Sequence, residues 1–146
     1  MASKTTRPAK QGRSDTAAIE AKSPHVETRF ATRADVLRYY PEQTASFRAK
    51  VCELDGEPVG IIGLALTRPF ACLFSAFDEA LRPYLKSLTV LRLIKWVEGV
   101  VRACKRPVRA IAEPTEPTAP KILQRLGFVF LEHNDGDDIY EYRGVA

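Results

Sequence analysis

Cysteine is scarce in this chain: three residues among 146, at Cys52, Cys72 and Cys104, each set in an apolar pattern. An odd, widely spaced set argues against a disulfide framework and against a zinc site, and fits a reducing interior. Long apolar runs are missing too. None approaches the ~18–20 residues needed to cross a bilayer, which excludes a membrane-spanning helix. The first residues are basic but no apolar segment follows them, so they do not read as a secretory signal. Glycine is absent from residues 78–89, DEALRPYLKSLT. Every residue there carries a Cβ, and a close backbone cradle for a ligand is hard to form. Charge of one sign is short in most of the chain. The net charge is +4, but residues 1–25 hold five Lys or Arg against two Asp or Glu, which leaves +1 for the remainder.

That imbalance divides the chain. Residues 1–25 have few apolar side chains and no sustained periodicity, so alone they are expected to be disordered. Lys4, Arg7, Lys10 and Arg13 make this segment a basic N-terminal arm. It could contact nucleic acid through phosphates, lie along a partner protein, or act as a solubilising tail. Residues 26–146 have enough apolar content for one core, and the length suits one domain by the prior of ~100–200 residues.

The organising stretch runs from Val90 to Phe128. Val90, Leu93, Ile94, Val97, Val100, Val101 and Cys104 recur at helical spacing, with Arg92, Lys95, Gly99 and Arg102 opposite. Pro107 is expected to end that helix. VRAIA, residues 108–112, reads as a strand. Thr118 is a candidate cap for a second helix, Pro120 suits its first turn, and Gly127 can take the left-handed conformation that stops it. Before this unit, residues 25–32 read as a strand, followed by a short helix capped by Thr32 and ended by Pro41. Residues 44–54 and 58–66 read as strands joined at Asp55–Gly56, a strong hairpin signal. FACLFSAF, residues 70–77, is apolar enough for a strand buried on both faces. Two strands around a polar turn at residues 134–137 close the chain. The order β α β β β α β α β β implies an α+β domain, a mixed and mostly antiparallel sheet with flanking helices.

Several local sequences in that order, TRFATRADV, ELDGEPVGIIGLAL and EPTEPTAPKILQRLGF, resemble the GNAT superfamily of acyl-CoA-dependent N-acyltransferases. The resemblance spans residues 26–143 and implies a GNAT-like domain whose fourth and fifth strands splay into a cleft. It further implies acetyl-CoA as cofactor and an amine as acceptor. Ser75, Ala76 and Phe77 would then hold the pantetheine arm by backbone, Arg82 and Lys86 the phosphates, and Glu79 would be the general base. The ordinary reading of Asp78 and Glu79 is as caps of the following helix.

Three features depart from the family pattern, one of them Glu116 in place of the usual asparagine. The glycine-rich pyrophosphate turn is replaced by residues 78–89, and the position of the tyrosine acting as general acid holds Leu123. Tyr84, Tyr140 and Tyr142 are the candidates to replace it in space. These departures resemble a phage-encoded branch of GNAT-like proteins that includes internal virion proteins of short-tailed bacteriophages. That likeness implies a binding or assembly module with weakened or lost catalysis, no cofactor, and virion or assembly proteins as partners through the arm. The setting would be the host cytoplasm or the assembled particle. Trp96, between the two faces of the long helix, is either core or an anchor for a partner. His133, Asp135, Asp137 and Asp138 cluster like hard-metal ligands but read first as a hairpin turn, so no metal site is assigned.

Overall fold

Val26, Thr28 and Phe30 alternate with Glu27 and Arg29 in the first strand, β1 (Val26–Phe30). The chain is seen in a computed structural model that describes residues 25–112 and 118–144. Thr32 caps helix α1 (Arg33–Tyr39) through a reciprocal box. The Asp35 N–H donates to the Thr32 hydroxyl, and the Thr32 N–H donates to the Asp35 carboxylate. This satisfies two of the N–H groups that a helix start leaves without partners. Arg29 ties the box to the sheet: its guanidinium donates to Asp35 at 2.7 and 3.0 Å and to Glu53 at 2.8 Å. The hydrogen bonds from Arg29 hold the Asp35 carboxyl well below the usual carboxylate range.

Strands β2 (Phe47–Leu54) and β3 (Glu57–Ala65) form the expected hairpin. Asp55 and Gly56 both take positive φ, 51° and 86°, which matches the twist of the two strands. Strand β4 (Ala71–Phe77) follows, then a 3-10 helix over Glu79–Tyr84 and the long helix α2 (Leu88–Ala103). Next come β5 (Val108–Ala112), α3 (Thr118–Arg125), β6 (Phe128–Asn134) and β7 (Asp137–Tyr142). All seven strands make one sheet in the order β1-β2-β3-β4-β5-β7-β6. Every pairing is antiparallel except β4 with β5, which α2 joins as a parallel crossover.

The two faces are covered unequally. Val90, Leu93, Val97 and Val101 of α2, with Leu123 of α3 and Leu126 just after it, pack on one face in the larger core. On the other face, α1 places Val36 against Ala49, Val51 and Ile61. Among the described residues no helix is long and apolar enough to cross a membrane.

Some boundaries differ from the sequence expectation. Helix α2 stops at Ala103, before Pro107: Cys104 is already extended and donates its N–H to Val101. Proline constrains only Arg106 directly, so it follows the helix end without setting it. Thr118 is the first residue of α3; the residue before it lies outside the described residues. Gly127 does end α3, with φ 98° and its N–H donated to the Gln124 carbonyl. Strand β4 is buried on alternate residues only as far as Leu73, and Ser75 is exposed.

Asp35 supplies the first test. Its folded pKa lies below the unfolded carboxyl value of ~3.9, so its contribution is complete above that value and lost as pH falls through the folded pKa. Asp35→Asn should lower stability at neutral pH by about 1–3 kcal/mol, since hydrogen bonds to a charged group are lost. It should also flatten the acid limb of a plot of urea midpoint against pH. An acid limb unchanged from the parent protein would show that the Arg29–Asp35 contact carries no such linkage.

Candidate functional site

The pairing of β4 with β5 covers three residue pairs and ends at Leu73 with Ala110. The Ala71 N–H donates to the Pro107 carbonyl on the β5 side, while the Asp78 N–H donates to Val59 on β3. Because backbone directions alternate along a strand, Ser75 and Phe77 turn their N–H and C=O groups toward β5. By then β5 has diverged, held away by its own pairing of Ile111 with Ile139 and Ala112 with Asp138 on β7. The result is an open wedge between two parallel strands, a cavity of about 520 Å³. Its walls include Leu73, Ser75, Ala76 and Phe77 of β4, Ile111 and Ala112 of β5, and Ile122, Leu123 and Leu126 below them. The volume is that of a small-molecule site, apolar walls with a few polar groups.

Tyr40 also lines this cavity, and nothing in the sequence reading singled it out. It stands at the C-cap of α1, where its ring packs edge-on against Phe74 at 5.3 Å. Its hydroxyl donates to the Ser75 carbonyl at 2.6 Å, so one of the strand-edge acceptors in the wedge is already engaged. Burial pushes the phenol up to about 12. It is therefore protonated at neutral pH and serves as a donor. The available signal was the Tyr39–Tyr40–Pro41 sequence, which puts two aromatic side chains at the end of a helix only two turns long.

Several N–H groups of the segment that follows β4 are bonded within it. The N–H groups of Leu81, Leu85 and Ser87 donate to Asp78, Arg82 and Tyr84 carbonyls. At the start of α2, the Val90 N–H donates to the Ser87 hydroxyl and the Leu91 N–H to the Ser87 carbonyl. Fully buried Leu81 pins the 3-10 helix into the core. These donors are therefore engaged within the protein.

The sequence-predicted residues separate into two groups. Ser75, Ala76, Phe77 and Arg82 meet at the cavity. Glu79 and Lys86 do not line it. Glu79 is 85% exposed and pairs with Arg82 Nε at 3.0 Å, so it lacks the desolvation that would suit a general base. Asp78 occupies the cap position of the 3-10 helix, but its side chain makes no cap hydrogen bond. Leu123 is buried on the cavity wall where the family pattern has its acid. The three tyrosines considered as substitutes are not on that wall: Tyr140 is buried against the larger core and Tyr142 tilts against Phe128.

Trp96 lies apart from the cavity, where its ring meets Phe30 edge-on at 6.0 Å. The Lys50 ammonium sits over both rings, 4.8 Å from Phe30 and 5.0 Å from Trp96. Phe30 itself is 67% exposed. At the far hairpin, Asp135 and Gly136 form the turn with positive φ, and His133 faces Asp138 across the strands at 2.8 Å. Lys4, Arg7, Lys10 and Arg13 lie outside the described residues.

Tyr40 can be tested by spectrophotometric titration. The difference between the parent protein and Tyr40→Phe should be one phenol titrating near pH 12. A midpoint near the ordinary tyrosine value of ~10 would show that burial does not shift this phenol.

No family model and no curated protein sequence matches the chain. Solved structures do. The ribosomal-protein-S18-alanine N-acetyltransferase from Escherichia coli aligns with TM-score 0.58 at 13% identity, over 81% of this chain and 93% of that one. An acetyltransferase of the GNAT family from Staphylococcus aureus aligns with TM-score 0.60 at 11% identity, over 81% and 98%. The PaiA N-acetyltransferase from Thermoplasma acidophilum, in complex with coenzyme A, aligns with TM-score 0.51 at 15% identity, over 65% and 59%. At these identities the likeness establishes the fold: this is a GNAT-like α+β domain.

Proposed function

We propose that this GNAT-fold protein is a binding or assembly module in which acyl transfer is weakened or lost. The observation that carries the reading is the turn between β4 and α2. A 3-10 helix stands in place of a glycine-rich turn there, and the N–H groups of Leu81, Leu85 and Ser87 are bonded within the segment. The occupied Ser75 carbonyl, the exposed Glu79 and the leucine at position 123 point the same way. Catalysis of amine acylation needs a base near neutrality for the ammonium and an acid for the departing thiolate. Glu79 is poorly placed for the first role, and Leu123 has no proton for the second. On this reading residues 1–25 act as a basic arm, with Lys4, Arg7, Lys10 and Arg13 facing a partner, and Trp96 of α2 is a second partner-facing residue. The partner class suggested by the sequence pattern is another protein of a phage particle.

A second reading, an acetyl-CoA-dependent N-acetyltransferase, is favoured by one specific observation. The wedge between β4 and β5 retains about 520 Å³ and open strand edges at Ser75 and Phe77. A pantetheine arm would run along those edges after the Tyr40 hydroxyl releases the Ser75 carbonyl, with Arg82 at the cavity wall. The Tyr40 phenol would then be the nearest available proton donor.

Calorimetric titration of acetyl-CoA at low and moderate salt separates the two. The module reading expects no heat and no thermal shift at ~1 mM ligand. Micromolar binding that survives added salt would overturn it and turn the search to the amine acceptor.

A further inference from the structure

The sheet has two free edges, and they are unlike. β6 is interrupted by a bulge between Phe130 and Glu132, a feature that discourages pairing with another strand. β1 has neither bulge nor proline, and its register against β2 is unbroken from Val26 to Phe30. Among the described residues no strand pairs with its outer side.

The direction of each backbone group on β1 follows from two hydrogen bonds. The Ala31 N–H donates to the Ala49 carbonyl, and the His25 carbonyl accepts from the Asp55 N–H. His25, Glu27, Arg29 and Ala31 therefore point their backbone groups at β2, and Val26, Thr28 and Phe30 point theirs outward. The outward set is symmetric about Thr28. An antiparallel second copy of β1 would place Thr28 on Thr28, Val26 on Phe30 and Phe30 on Val26. All three are hydrogen-bonded pairs in such a ladder, with two bonds to each. The same register lays exposed Phe30 beside the half-buried Val26 of the other copy, and extends the apolar contact that Phe30 already makes with Trp96. On the opposite face it sets Glu27 against Arg29, so like charges do not meet.

We propose that two copies of this chain pair through β1 in an isologous dimer, centred on Thr28, that joins their sheets into one. The occupant of the edge is a second copy because the edge complements itself in backbone direction, in side-chain size and in sign of charge. The paired strands are short, so the association is of micromolar strength and varies with concentration. Phe30, which a monomer would expose at the end of an unguarded edge, is covered in the dimer.

Sedimentation of the full chain tests this directly. At ~100 µM the protein should sediment mainly as a dimer and dissociate on dilution. Thr28→Pro removes only an N–H that faces away from β2, so the β1–β2 ladder stays intact and the dimer is lost. Phe30→Asp, at an exposed site, should also give a monomer, and Phe130→Asp on the β6 edge should leave the dimer unchanged. Hydrogen exchange on the unmodified protein gives a readout independent of the variants. In the dimer, the amides of Thr28 and Phe30 are protected along with those of Glu27 and Arg29; in a monomer protection alternates. A monomer at ~100 µM, or a dimer that persists in both Thr28→Pro and Phe30→Asp, would overturn the proposal.

Discussion

The parallel contact between β4 and β5 holds only three residue pairs, and the rest of the molecule is arranged around its shortness. A parallel pair requires a crossover, and α2 supplies it by laying Val90, Leu93, Val97 and Val101 on the sheet. Once past Ala110, β5 follows β7 instead of β4, and the two strands part. Every backbone group released by that parting has to find water, a ligand or another part of the protein. The cavity, the engaged Ser75 carbonyl and the Arg82 side chain at its wall all follow from this one divergence.

The protein meets the demand largely from within. Tyr40 satisfies Ser75 from the α1 side, and carbonyls of the segment between β4 and α2 accept from the N–H groups of Leu81, Leu85 and Ser87. On the module reading, these internal bonds stand in for contacts to a ligand.

Most of the element order was legible in the sequence because it rests on local rules. Thr32 with Asp35, Asp55–Gly56 and Gly127 each fix a boundary through a few adjacent residues, and the helical spacing from Val90 to Val101 is unambiguous. The limits of that legibility are just as physical. FACLFSAF looks uniformly buried because apolar composition does not record where a neighbouring strand departs. The 3-10 helix was read as a turn since Pro83 and mixed polarity hide the role of Leu81, which only tertiary burial reveals. Tyr40 was invisible for a related reason. Its function depends on a carbonyl 35 residues away in sequence, and no local pattern encodes that meeting.

Helix α1 is fastened at both ends to different strands. Its first turn is bound through Asp35 to Arg29 of β1, and its last residue is followed by Tyr40, bound to Ser75 of β4. In the strand order these anchorages lie at the outer rim and at the mouth of the wedge, with β2 and β3 between them. The helix is thus a cross-brace over four strands, tied to the rim by Asp35 and to the mouth of the wedge by the residue that follows its last turn.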